Sequence, residues 1–163
     1  MPEVQVEVER WCEEVDSIDI PSSSVEELKR LRDAGRELET IVSYARRVLQ
    51  VRLDLAAEPS VLAPERVAEV VAPEASSSEM PSRLAAVELT EASVEAAEEY
   101  VRSLVGGDRS HTLDLLDDQQ LASYRSRLRE AERSVSVQRK GLHDRLDRLA
   151  SELVRRYHAP TVG

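Results

Sequence analysis

Five side chains in the first third of the sequence, Glu39, Ser43, Arg46, Gln50 and Asp54, follow one another at steps of 4, 3, 4 and 4 residues. Near the C-terminus Glu132, Ser136, Arg139, His143 and Asp147 repeat those steps with four of the five residue types unchanged. On an α-helix, at roughly 100° per residue, each set falls within a sector of about 80° and makes one narrow polar stripe. A single stripe of this kind is ordinarily a solvated helix face. Two in one register are a repeat, and repeated donors and acceptors suit a repeated ligand. An Arg fork can bond O6 and N7 of guanine in a bidentate manner, and Glu or Asp can accept from the N1 and N2 hydrogens of the same base. Ser and Gln suit ribose or phosphate oxygens. Arg47 and Lys140 directly follow the stripe arginines and add positive charge beside them.

The elements that must carry these stripes are helices. Ser24 and Glu27 have capping-box spacing, in which each side chain satisfies an otherwise orphan backbone N–H. From there Val25, Leu28, Leu31, Leu38, Val42, Ala45 and Leu49 hold an apolar seam, which predicts a helix over 25–57 with its cap at Ser24. Glu58-Pro59 ends it, because a residue before proline is pushed out of the α region. Residues 58–90 form a Pro- and Ser-rich linker, in which Pro64 can open a short helix through Val71. Thr90 caps a predicted helix over 91–105, closed by Gly106-Gly107. Asp117 and Gln120 begin the longest helix, 117–157, with Leu121, Tyr124, Leu128, Ala131, Val135, Leu142, Leu149 and Leu153 on its seam. Residues 1–23 are compatible with a short helix carrying Trp11 or with a mobile arm.

A rod of some 40 residues, about 60 Å long, cannot fold around itself and needs the first long helix as its partner. The expected fold is therefore all-α, with two long helices in an antiparallel coiled coil and short helices from the linker around them. Placing Arg46 opposite Arg139 makes facing residue numbers sum to 185 and sets Ser24 against residue 161. Segments 65–71 and 91–105 can then cover the overhang at 117–127. Equal stripes on antiparallel helices generate a local twofold axis and suit a twofold-symmetric ligand, and a cyclic di-guanylate fits these demands.

The spacing Glu-x3-Ser-x2-Arg-x3-Gln-x3-Asp, once on each of two antiparallel helices, resembles the signature of RsiG, the actinobacterial anti-sigma factor family that binds cyclic di-GMP. It reads ETIVSYARRVLQVRLD from Glu39 to Asp54 and ERSVSVQRKGLHDRLD from Glu132 to Asp147, the second copy departing by having His143 where the pattern has Gln. The resemblance implies that the ten stripe residues bind cyclic di-GMP. It also implies that the loaded protein sequesters a sigma factor of the WhiG type. The departure points to a weaker second half-site, since imidazole is shorter and more rigid than the Gln50 side chain. A nucleotide-independent coiled-coil adaptor is the alternative, and the stripes could also belong to two chains of a homodimer.

Composition narrows the remaining classes. The 163 residues include 32 Asp and Glu against 22 Lys and Arg, a net charge of −10, which disfavours direct DNA binding and suits a basic protein partner. Five glycines and no Phe argue against a small β-barrel or sandwich. No apolar run approaches the roughly 20 residues needed to cross a bilayer, and no basic n-region precedes an apolar h-region. With Cys12 the sole cysteine, a cytoplasmic location without membrane association is expected. His111, His143 and His158 are too dispersed for a metal site, no glycine-rich phosphate loop is present, and no serine has a His and carboxylate constellation. An enzyme is not expected. Glu95, Glu98 and Glu99 are candidates for meeting basic surfaces of the sigma partner.

Overall fold

The computed structural model describes residues 2–57, 89–107 and 110–158, and every regular element among them is helical. In chain order these are α1 (Glu3–Ser17), α2 (Val25–Ala57), α3 (Glu91–Val105), a short 3-10 segment (Ser110–Leu115) and α4 (Asp118–His158). The short helix expected after Pro64 lies outside the described residues.

Helix ends follow the capping chemistry. The Glu27 N–H donates to Ser24 Oγ at 3.1 Å, and α2 starts there. Before α4 the capping box is complete: the Gln120 N–H donates to Asp117 Oδ1 at 2.8 Å, and the Asp117 N–H donates to Gln120 Oε1 at 3.1 Å. The Thr90 hydroxyl accepts from the Ser93 N–H at 3.1 Å, and α3 stops at Gly106, whose φ of +78° is the left-handed conformation that glycine adopts without a Cβ clash. α1 has no such signal at its start, since Pro2 precedes it without a side-chain cap. Its order comes from packing, with Val4, Val8, Trp11 and Val15 buried along one face.

Within one chain α2 and α4 run antiparallel. At one end Arg125 donates to the Ala56 and Ala57 carbonyls at 2.6 and 3.2 Å, closing the C-terminus of α2. At the other, Arg156 donates to the Ser23 carbonyl at 2.5 Å and to the Ile20 and Pro21 carbonyls at 3.0 Å, holding the chain as it enters α2. Arg156 also pairs with the buried Glu152, and the bonds from Arg155 and Arg156 hold that carboxyl at about 2, far below its usual range. Between these ends Leu28, Leu31, Gly35, Leu38, Val42, Ala45, Leu49 and Ala56 are buried on α2, and Tyr124, Leu128, Ala131, Val135, Leu142, Leu149 and Leu153 on α4. The spacing of three and four is that of a heptad seam.

α1 and α3 pack on the side of the pair away from the stripes. The Tyr100 hydroxyl of α3 donates to Gln138 Oε1 at 2.5 Å, and Gln138 lies about 140° round α4 from the middle of its stripe at roughly 100° per residue. Asp16 at the end of α1 accepts from Arg145 and Arg148 of α4. Trp11 fills a notch in the seam: its indole Nε1–H donates to the Leu31 carbonyl at 2.9 Å, and its ring lies over Gly35. At 91–105 the expected helix is present, but it runs along both long helices and reaches Arg127 with its C-terminal Gly106 instead of merely capping the overhang.

A methyl group on Gly35 would meet the Trp11 ring at 2.2 and 2.7 Å and Leu146 at 2.9 Å. Gly35→Ala gains about 1 kcal/mol of helix propensity, yet overfilling a packed site costs about 1–3 kcal/mol. The expected outcome is a lower urea midpoint and a red-shifted emission from Trp11, the sole tryptophan. A higher midpoint with unchanged emission would show that the notch is not filled.

Candidate functional site

Seven of the ten stripe residues form a polar network across the α2–α4 seam, made of two hydrogen-bonded clusters, one around Arg46 and one around Arg139. Arg46 Nε donates to Ser136 Oγ at 2.9 Å and to Glu132 Oε1 at 3.1 Å. In reciprocal fashion, Arg139 Nε donates to Ser43 Oγ at 2.7 Å and lies 3.5 Å from Glu39 Oε1. Within each helix the serine hydroxyl donates to the glutamate one turn earlier, Ser43 to Glu39 at 2.5 Å and Ser136 to Glu132 at 2.9 Å. Each contact has its counterpart 93 positions along the sequence, which is what a twofold axis between the helices requires.

The pairing differs from a register in which the arginines face each other. Arg46 with Ser136, Arg139 with Ser43 and His143 with Glu39 each sum to 182, about three residues short of 185. The reason is electrostatic. Arginine directly opposite arginine sets two cations together, whereas the slide of nearly one turn seats each guanidinium between the Ser and Glu of the other helix. The same shift sets the chain around Ser23 against Arg156 instead of residue 161.

His143 breaks the symmetry. Its Nε2 lies 2.8 Å from Glu39 Oε1, so the imidazole joins the network at the glutamate that Ser43 and Arg139 already address. Gln50, its counterpart, is half-buried and stands outside the network, as do the exposed Asp54 and Asp147. The glutamates Glu39 and Glu132 retain only 24% and 21% of their side-chain exposure, so their pairs are screened less than ordinary surface ones. Burial by itself would raise the Glu39 carboxyl, but the bonds from Ser43 and His143, with the fields of His143 and Arg139, hold it below its ordinary 4.5.

Beside this network lies a groove of about 580 Å³. Glu39, Ser43, Arg139, His143 and Asp147 line it from the stripes, while Tyr44, Leu89, Leu146 and Ala150 supply apolar wall. Arg32, Arg36 and Arg47 complete its rim. The groove takes in the half-site containing His143, the half expected from sequence to be the poorer one.

Arg32 and Arg36 were not singled out by the five-residue pattern, and the offset of 93 residues identifies them. Residues 32–54 and 125–147 are identical at 11 of 23 positions, among them Arg32 with Arg125, Arg36 with Arg129 and Arg52 with Arg145. These copies diverge in use: Arg125 closes α2 and Arg145 holds α1, whereas Arg36 and Arg129 are both exposed. No cluster of His, Cys, Asp and Glu able to hold a metal occurs among the described residues, and none of the described helices is long and apolar enough to cross a membrane.

The two long helices define an all-α protein that presents matched polar stripes from an internal repeat, residues 32–54 against 125–147. A protein-family model described as RsiG-like matches residues 14–88 and 107–162, and the chain belongs to this family, which makes it a regulator of the anti-sigma-factor type. Neither a curated protein nor a solved structure matches it. α3 and most of α1 lie outside the matched stretches.

The depressed Glu39 carboxyl has a definite pH signature. In the window between its native value and the unfolded 4.5, the unfolded chain binds more protons, so the contribution of Glu39 is present above 4.5 and is lost as pH falls through the native value. Glu39→Gln should reduce stability at pH 6 by about 1 kcal/mol, after allowance for partial solvent screening, and the difference should close in acid. Urea unfolding of both proteins from pH 6 to pH 3 measures it; a constant difference would assign the effect to packing instead of charge.

Proposed function

We propose that the two stripes bind cyclic di-GMP and that the loaded protein sequesters a WhiG-type sigma factor in the cytoplasm, repressing transcription of its genes. The observation that carries this reading is the reciprocal crossing of Arg46 onto Ser136 and Arg139 onto Ser43, because a site with its own twofold axis is matched to a ligand with one. Both arginines are anchored through Nε, the inner guanidinium nitrogen, which orients the planar group while its outer edge addresses a guanine. Asp54 and Asp147, exposed at the far ends of the stripes, accept from the base N–H groups. Gln50 and His143 occupy matched positions for ribose or phosphate, and Ser43 and Ser136 exchange their bonds to glutamate for bonds to the ligand. A groove of about 580 Å³ is of ordinary size for a small-molecule site. No enzymatic step and no direct contact with DNA is part of this function. Acidic side chains on α3, including Glu95, Glu98 and Glu99, are exposed toward a basic sigma surface, Glu99 in an ion pair with Arg102 that such a surface would replace.

One observation favours a second reading, a nucleotide-independent adaptor: the network neutralises its own charges, with each stripe arginine already near a glutamate. Calorimetry separates the two. On the proposed function the natural protein gives saturable heat with cyclic di-GMP, and Arg46→Ala or Arg139→Ala costs about 1–3 kcal/mol per ligand contact. Lysine does not rescue either position, since a point charge lacks the planar fork. Capture of the sigma factor should then require the nucleotide. Sigma capture without nucleotide, together with no heat, would support the adaptor and sink the proposal.

A further inference from the structure

The stripes occupy a basic island in an acidic chain. Residues 32–54 hold five basic and four acidic side chains and residues 125–147 seven and four, a net of +4, whereas the whole chain is −10 and the remainder therefore −14. Part of that excess is committed to structure: Arg46 and Arg139 to the network, Arg125 to the end of α2 and Arg145 to α1. Arg36 and Arg129 are different. Both are exposed, and among the described residues neither has a carboxylate at ion-pair distance, although the second stripe's other flanking cation, Lys140, is paired with Asp144 at 3.0 Å.

Their position is as specific as their freedom. At roughly 100° per residue Arg36 lies about 60° round α2 from Glu39, and Arg129 lies about 60° round α4 from Glu132, on the same side in each case. Each is therefore at the outer edge of its stripe, away from the seam. Arg36 lines the groove directly. Arg47, about 80° from Glu39 on the same edge, stands roughly 16 Å further along the helix. A ligand whose bases engage the stripe arginines must leave its anionic backbone facing outward, toward this edge.

We infer that Arg36 and Arg129 are a second pair of ligand-binding residues, one per repeat, that take the phosphodiester groups of the bound nucleotide. This rests on the proposed function and assigns the phosphate subsite to residues outside the five-residue pattern. The two arginine pairs then have different chemistry. Recognition of a base edge by Arg46 and Arg139 needs a planar fork, while attraction of a phosphate by Arg36 and Arg129 needs positive charge at the right place, which lysine also supplies.

That difference gives the test. Cyclic di-GMP binding is measured by calorimetry at 50 and 300 mM salt for the natural protein, Arg36→Ala/Arg129→Ala and Arg36→Lys/Arg129→Lys. Both sites are exposed on helix surfaces, so unchanged helicity and melting serve as the folding control. The Ala pair should weaken binding about tenfold or more at low salt and flatten its salt dependence, and the Lys pair should restore most of both. An Ala pair with natural affinity and natural salt dependence would overturn the inference while leaving the nucleotide site standing. Equal loss in the Ala and Lys pairs would overturn it too, by showing that the fork and not the charge matters. Absence of binding by the natural protein would overturn both this assignment and the proposed function.

Discussion

The register between α2 and α4 is set by polar contacts, and the proposed site depends on it. An apolar seam that repeats every seven residues packs almost as well after a slide of one heptad. The crossings of Arg46 onto Glu132 and Ser136 and of Arg139 onto Glu39 and Ser43 do not survive such a slide. Two partly buried glutamates would be left facing apolar surface without a cation, at a cost well above that of an exposed pair. The same residues that specify the alignment are those that present donors and acceptors to solvent, so the stripe is assembled only when the helices are paired correctly.

The rest of the fold keeps that face open. α1 and α3 attach to polar positions that interrupt the seam on its far side, Asp16 to Arg145 and Tyr100 to Gln138. Trp11 closes the gap that Gly35 leaves between the two long helices. A glycine in a seam of leucines would otherwise be a cavity. Supplying the missing volume from α1 ties the N-terminal helix to the end of the pair that borders the groove, through Leu146, which touches both the Trp11 notch and the groove wall. Both added helices lie largely outside the stretches shared with the RsiG-like family, whereas the two repeats lie within them.

Much of this was legible in the sequence, for identifiable reasons. The bounds of α2 and α3 and the start of α4 follow from Ser24, Thr90, Asp117 and Gly106, whose side chains or backbone freedom satisfy orphan helix groups locally. α1 was ambiguous because it lacks a side-chain cap and its burial depends on partners far along the chain. The alignment of the stripes is not legible from their symmetry alone, since setting like against like places it about three residues away from the observed pairing. Facing arginines satisfy symmetry, but only the offset arrangement satisfies charge. Arg36 and Arg129 fall outside the pattern for another reason: it ends at the glutamates, and the role proposed for them depends on the groove and on which arginines are committed elsewhere. The asymmetric role of His143, bonded to Glu39, depends on the observed offset and was likewise not readable from one helix at a time.

The proposed ligand site is made by both repeats at once. The most direct measurement is nuclear magnetic resonance of the arginine Nε–Hε groups during titration with cyclic di-GMP. Nε of Arg46 and of Arg139 carries the bonds that cross the seam. Both resonances should move together, with the same dependence on ligand concentration. Movement of only one arginine, or of neither while ligand binds, would contradict a twofold site.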